Sequence, residues 1–436
     1  MTATDSRKPA ARIEGLKELL AHARERLGLD LGFVLWDGST VPADLAPGAL
    51  ALTIRDEGAV AALVRRPKLD TLANLWVSGR LDLRGGTLFD LVAKRPKIRS
   101  KQLLKNLDKG LALRTLLKFI RVPRGGPWPL EVVGQAAVDG SATSNKTNIG
   151  YHYDVSNAFY RLFLDDEMVY SCAYFTDWAN DLGQAQRDKL DMICRKLRLQ
   201  PGERFLDIGC GWGALVCHAA QHYGVKAHGV TLAEEQLALA REKVARLGLQ
   251  DRVTLELRNY GSLTEPFDKI ASIGMFEHVG LDHHANYFTT VNRLLVPGGL
   301  YLHHCIARPA KRDDKVFRKK RPEFAALTRY IFPGGELDHI GMSLANLERH
   351  GFEVRDVEGW REHYGRTCRL WHDRLLARQG EAEREVGRDK TRLWIAYLAA
   401  CAIAFERNTV GINQTLAVKK ERGPARLPPT RADLYR

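Results

Sequence analysis

Residues 204–208 (Arg-Phe-Leu-Asp-Ile) form a strand-like run that empties directly into Gly209-Cys210-Gly211-Trp212-Gly213 and then a helical pattern. Three glycines at a strand-to-helix turn let the backbone bend tightly and let a ligand approach the helix N-terminus. The rhythm then repeats. Further strands are predicted over 226–230, 252–257, 269–273, 299–304 and 352–356, with helices between them, for example over 215–222 and 234–247. Strands that alternate with helices build a parallel sheet covered on both faces, so the fold class is α/β. Residues 366–405 read as helical additions, and 419–436 are basic and proline-rich.

Upstream of about 150 the pattern changes. A helix over 13–27, strand-like pieces at 32–36 and 49–55, a helix over 58–64 and a hairpin-like segment at 78–86 make a smaller α+β domain. It has no cluster of His, Cys and acids, so binding or dimerisation fits it better than catalysis. From Lys94 to Arg124 there are eleven basic residues against one acid, Asp108. Leu103, Leu104, Leu107, Leu111, Leu116, Leu117 and Ile120 recur there near helical spacing, which predicts a basic amphipathic helix and a candidate docking element. Its leucine face lies either in a membrane interface or packed on the N-terminal domain, and packing at home is preferred because the helix stands beside a linker. Pro123, Gly125, Gly126, Pro127 and Pro129 then break the pattern, and a polar stretch follows. The expected organisation is an N-terminal domain over 1–121, a linker over 122–150 and a catalytic domain over 151–436.

The chain carries 66 Lys and Arg against 52 Asp and Glu, a formal net charge of +14. Such a surplus points to an acidic partner: nucleic acid, an anionic membrane surface or an acidic carrier. Seven cysteines without a CxxC pair argue against a disulfide framework and against zinc, and no metal is expected. The polar start and the lack of an uncharged apolar run of about 18 residues predict a cytoplasmic protein, at most peripherally attached to the inner face of a membrane.

The glycine spacing is G-x-G-x-G, not the dinucleotide G-x-G-x-x-G, and no Walker-type Lys-Ser/Thr follows. With Asp207 leading it, the loop resembles the first motif of S-adenosylmethionine-dependent methyltransferases. That resemblance makes Asp207, Gly209, Gly211 and Gly213 cofactor-binding residues. At the next strand tip, where many such enzymes hold the ribose with an acid, stand Thr231, Leu232 and Gln236; Thr231 with Glu234 also fits a helix capping box. Asn259-Tyr260 lies where an aromatic ring would stack on adenine.

Four more segments carry a closer resemblance: His152-Tyr-Asp-Val-Ser-Asn157, Tyr170-Ser-Cys-Ala-Tyr-Phe175, Gly274-Met-Phe-Glu-His-Val-Gly280 and Ile331-Phe-Pro-Gly-Gly335. Over roughly three-fifths of its length the chain resembles the cyclopropane-fatty-acyl-phospholipid synthases and the related mycolic acid cyclopropane synthases. The resemblance implies a Rossmann-like class I methyltransferase fold with helical additions, preceded by a smaller α+β N-terminal domain. It implies methyl transfer from S-adenosylmethionine to the cis double bond of an unsaturated phospholipid acyl chain, then ring closure with bound bicarbonate as the base. Carried over motif by motif, the catalytic set is Cys172, Glu277, His304, Tyr364 and the backbone of Ile306, with Cys401 a further member; Tyr170 and Ser171 join the cofactor site. His303 and His304 alternate in direction, and His304 is preferred because it shares an H-x-I pattern with Ile306. A homodimer and an anionic membrane surface are the implied partners, with no nucleic acid.

Three other readings stand beside this one. A C-methyltransferase giving a methylene- or methyl-branched acyl chain shares the first step and differs in outcome. A nucleic-acid methyltransferase accounts for the charge, but the Asn/Asp-Pro-Pro-aromatic motif of base amino-methylases is absent after the fourth strand. A non-enzymatic lipid-binding protein leaves the cofactor loop unexplained.

Overall fold

A computed structural model describes residues 7–95, 107–131, 155–319, 331, 335–423 and 427–435. It divides into two compact units, Met1–Gly134 with Arg388–Ala399, and Gln135–Gly387 with Ala400–Arg436.

The first unit holds a helix over Arg7–Leu27 and the strands β1 (Gly32–Val34), β2 (Thr40–Val41), β3 (Ala51–Ile54) and β4 (Leu81–Arg84), in spatial order β2-β1-β3-β4. Helices Glu57–Arg65 and Leu69–Val77 separate β3 from β4. Asp56 caps the first of these by accepting a hydrogen bond from the Ala59 amide at 2.9 Å. Leu16, Leu35, Ile54, Val60, Leu75, Leu81, Phe119 and Val122 form its core.

Two expectations change here. Residues 78–86 are not a hairpin: β4 pairs antiparallel with β3, Ile54 opposite Leu81. Residues 122–131 are not linker either. Val122 and Leu130 are buried, the Leu130 amide donates to Asn74 Oδ1 at 2.9 Å, and Arg124 pairs with Glu131. Prolines that break a helix can still be packed, and these are. The rest of the expected linker, 132–150, lies outside the described residues. Arg388–Ala399, expected with the catalytic domain, groups with this unit because Arg392 gives hydrogen bonds to the carbonyls of Trp76 and Leu81 and pairs with Asp82.

The basic amphipathic helix is described over Lys109–Leu117, with Asp108 accepting from the Gly110 and Leu111 amides as its cap. Leu111, Thr115 and Phe119 face inward, whereas Leu113, Leu117 and Ile120 are 61%, 52% and 46% exposed. The leucines therefore divide between two faces, which corrects the expectation that they pack at home. Lys101 and Lys105 lie outside the described residues.

The second unit is a seven-stranded sheet. Its strands are β5 (Arg204–Ile208), β6 (Lys226–Thr231), β7 (Val253–Leu257), β8 (Phe267–Ile273), β9 (Leu295–Ala307), β10 (Phe352–Gly359) and β11 (Gly411–Lys419), in the order β10-β11-β9-β8-β5-β6-β7. β5 to β9 run parallel, and β11 inserts antiparallel between β9 and β10. One face packs on helices Leu182–Leu197, Ala214–Tyr223 and Glu234–Arg246 through Ile193, Leu197, Val216, Ala219 and Val244. The other packs on His284–Leu294 and Ile340–Arg349 through Tyr287, Phe288, Val291 and Leu347.

Because β6 and β8 flank β5 on opposite sides, the order reverses at β5. Ligand crevices in such sheets open at the carboxyl ends of the strands beside that point. The α/β fold expected from strand–helix alternation is present, with β11 as an unforeseen strand. The basic tail is also more than a solvated face: Leu434 is buried, and Arg431 pairs with Asp356 at 2.6 Å.

Candidate active site

At that reversal point lies a cavity of about 510 Å³. Its walls come from the ends of β5, β6, β7 and β8 and from the segment before the helix Leu182–Leu197. Of the residues expected at the cofactor, Tyr170, Ser171, Asp207, Gly209, Gly211, Thr231, Leu232, Gln236, Asn259 and Tyr260 all line it. Gly213 does not. A Cβ there would sit 3.2 Å from the Ala240 Cβ, so this glycine lets the loop pack against the helix Glu234–Arg246.

Gly211 has φ +53° and open space where a Cβ would be; Gly209 has φ +84°, and its Cβ would meet Met275 Cγ at 2.9 Å. A cradle that only glycine leaves open fits a ligand pressed on the backbone. Trp212 is buried in the cavity wall, its Nε1–H donating to Asn157 Oδ1 at 2.7 Å. This gives a role to the Ser156-Asn157 end of one motif, while His152, Tyr153 and Asp154 of that motif lie outside the described residues. Thr231 Oγ1 accepts from the Ala233 amide at 3.2 Å, and Ala233 is the helix N-cap, so the alternative Thr231–Glu234 capping box is not formed.

Of the expected catalytic residues, Cys172, Glu277 and His304 are buried, while Ile306 and Tyr364 are half-buried beside them. Cys172 Sγ lies 3.8 Å from the Trp360 carbonyl, which also accepts from the Tyr364 amide at 3.1 Å. The His304 ring stands edge-on to Trp360, centroids 5.4 Å apart. Tyr364 is within electrostatic reach of Tyr170, Cys172 and Glu277. It sits on the helix Arg361–Ala377, and Thr367 of that helix accepts a hydrogen bond from the Ala173 amide at 3.1 Å, tying helix and Cys172 segment together. Cys401 does not line the cavity; it neighbours Cys368 and is only half-buried.

Glu277 is 3% exposed. Its Oε1 accepts from the Ile306 amide at 2.7 Å, and its Oε2 has no partner among the described residues. Burial pushes its carboxyl up to about 7, against the pull of the Ile306 amide and with a further push from Asp338. The amide of Ile306, expected to hold an anion, is therefore occupied in holding Glu277.

His304 and Ile306 share one face of β9, while His303 lies on the other in a polar chain. Tyr287 OH, Tyr301 OH and His303 Nδ1 are linked at 2.7 and 2.9 Å, and Ser343 joins that chain to Asp338 at 2.6 Å. The side chain of Gln414 decides the state of His304. Gln414 Oε1 accepts from Lys196 at 2.7 Å, so its Nε2 donates to His304 Nδ1 at 2.9 Å. Burial, together with the ammonium groups of Lys189 and Lys196, keeps the ring neutral, so its proton is on Nε2, which has no partner among the described residues. Burial likewise keeps the Cys172 thiol and Tyr364 phenol protonated.

Several of these residues were not expected. Lys189, Gln414, Trp360 and Asp338 carry no motif. Lys189 and Lys196 did leave a signal: both fall among the inward positions of the helix Leu182–Leu197, with Leu182, Ala185, Ile193 and Leu197, where a lysine is out of place.

Comparison with known proteins bears on the whole arrangement. A family model described as mycolic acid cyclopropane synthetase matches residues 141–415. A probable fatty acid methyltransferase of Pseudomonas putida is 38% identical over 424 residues, covering 96% of this chain and 99% of that protein. The cyclopropane-fatty-acyl-phospholipid synthase of Escherichia coli K12 is 38% identical over 265 residues, 61% of this chain and 66% of that one. Among solved structures, mycolic acid cyclopropane synthase CmaA1 complexed with SAH and CTAB aligns with a TM-score of 0.59 at 34% identity, covering 63% of this chain and 98% of that one. The sheet order, the glycine loop and these matches agree, and the chain belongs to the mycolic acid cyclopropane synthetase family of S-adenosylmethionine-dependent methyltransferases.

Proposed function

We propose that this chain bridges the cis double bond of an unsaturated phospholipid acyl chain with a methylene group taken from S-adenosylmethionine, giving a cyclopropane fatty acyl chain, and that bicarbonate is the base. The cofactor supplies an electrophilic methyl group on a positively charged sulfur. What remains for the protein is to hold the alkene without attacking its cation and to take one proton from the added methyl.

One observation carries the reading: Glu277 is buried, fixed through one oxygen and free at the other. Bicarbonate has both an O–H donor and anionic oxygens. The donor suits Glu277 Oε2, and an oxygen suits His304 Nε2–H. Tyr364, held protonated, adds an O–H donor, and the Cys172 thiol, held protonated with its S–H turned to the Ala173 carbonyl at 3.2 Å, adds no nucleophile. His304 has no lone pair to offer, because Gln414 occupies Nδ1. Docking on an anionic bilayer belongs to the same proposal, supported by the net charge of +14 and by Leu113, Leu117 and Ile120 standing exposed beside Arg114 and Lys118.

Incubation with labelled cofactor and unsaturated phospholipid vesicles, followed by mass spectrometry of the acyl chains, tests it. A gain of one CH₂ with the alkene lost and a ring that opens chemically is the expected result. Glu277→Gln should lower turnover by about 10²-fold while leaving cofactor affinity in place. Carbonate-free buffer should slow the wild type, and added bicarbonate should restore it. A full rate in verified absence of carbonate would remove bicarbonate from the scheme. A methylene- or methyl-branched product is the second reading, favoured by the full-length similarity to a probable fatty acid methyltransferase; a methylene-branched chain has the same mass as the ring, and the chemical ring opening separates the two.

A further inference from the structure

Lys189 is 2% exposed, yet it lines the cavity together with Ser171, Asp207 and Gly209. Its Nζ donates to Ser171 Oγ at 2.9 Å. An ammonium has three protons to place, and that hydroxyl accounts for one. Neither neighbouring carboxylate takes another directly: Lys189 has no ion pair within 4.0 Å among the described residues. Both oxygens of Asp165 accept backbone amides, from Glu167 and Val169 at 3.0 Å each. Asp207 Oδ1 is buried with no partner among the described residues. A cation and a carboxylate thus face one cavity at the glycine loop, each with bonding capacity left over. Burying a charge this way is expensive unless a ligand completes it.

The ligand chemistry that matches is a zwitterion, and an α-amino acid head is one. We propose that Lys189 binds the α-carboxylate of the methionine half of the cofactor, with Asp207 on the ammonium side of the same head. The inference rests on the cofactor being S-adenosylmethionine and adds a carboxylate anchor to its site. Burial supports it further, since it pulls the lysine down to about 8 in the free protein, and an added anion would restore its charge. The helix position also fits. Gln186, one turn earlier, donates to the Ser171 carbonyl at 3.0 Å, so a single helix fixes both the segment and the lysine.

The test is calorimetric titration with S-adenosylhomocysteine and with its decarboxylated analogue, on the wild type and on Lys189→Met. The wild type should prefer the carboxylated ligand by tenfold to a hundredfold, as expected for about one charge-assisted hydrogen bond. Lys189→Met should bring the two affinities within about twofold of each other, chiefly by weakening S-adenosylhomocysteine. Methionine keeps the length and removes the buried charge; Lys189→Gln, read through the same ratio, covers a failure of the first variant to fold. An undiminished preference in a folded variant overturns the assignment, as does a wild type that binds both ligands equally. If Lys189 served only to orient Ser171 or to face an anion elsewhere in the site, the ratio would not move. Failure to bind S-adenosylhomocysteine at all would instead count against the cofactor, so the two failures are distinct.

Discussion

At the scale of single residues, the site is built from side chains whose charge states are set by burial. Glu277 is the clearest. Its carboxyl titrates near 7 in the folded chain against 4.5 ordinarily, so the native state holds that proton more tightly than the unfolded state. The contribution to stability is therefore complete below about pH 4.5 and is lost as pH rises to about 7, beyond which the buried carboxylate costs on the order of 3 kcal/mol. Glu277→Gln should accordingly melt above the wild type at pH 8 and with it at pH 4, in the same protein whose turnover falls. Thermal melts across that range check this, and equal melting at both pH values would show the carboxyl not to be desolvated. Cys172, Glu277, His304 and Tyr364 were legible because each sits in a recognisable motif. Lys189 left only the signal of a lysine at an inward helix position, and Gln414 left none: a glutamine in an unassigned stretch announces itself only when its partners are in place.

Elements show the same division between pattern and context. The parallel strands β5 to β9 were readable because apolar runs alternating with helices admit few other arrangements. β11 was missed because Asn413-Gln414-Thr415 at its centre breaks the apolar run, and polar residues there read as a loop. They are tolerated because the strand is flanked on both sides, and Gln414 finds Lys196 and His304 as partners. The glycine loop was legible down to its separate roles only in part. Gly209 and Gly211 look alike in sequence, yet a side chain at the first collides with Met275 while at the second it enters open cavity. Gly211→Val is thus the cleaner probe. It should lower cofactor affinity at least about tenfold, because the valine occupies ligand space, with only the strain of a positive φ, roughly 1–2 kcal/mol, charged to stability. Calorimetry and a melt on the same sample decide it; unchanged affinity would place the cofactor away from this loop.

Across the whole molecule, the surplus charge and the exposed leucines meet on one helix of the first unit. Leu113, Leu117 and Ile120 are each about half exposed or more, with Arg114 and Lys118 alternating among them. Apolar side chains entering a bilayer interface contribute about 1 kcal/mol each, and basic neighbours add a salt-sensitive attraction to anionic lipid. Replacing the three apolar residues by Gln should weaken binding to anionic vesicles by at least about tenfold, while activity on detergent-dispersed lipid persists. Cosedimentation at low and high salt measures both parts, and undiminished binding would move docking to another surface. A different consequence follows from how the chain leaves β9 and comes back. It departs at Ala307 and returns at Asp338, where the two residues form a bridge, the Arg308 amide donates to the Asp338 carbonyl at 2.8 Å, and the Glu336 amide donates to the Glu277 carbonyl at 3.0 Å. The excursion is closed at its base. The clasp is made of backbone groups, so it owes nothing to the identity of the side chains at its jaws: it works as a mooring that ties the Glu277 carbonyl to the returning chain at Glu336.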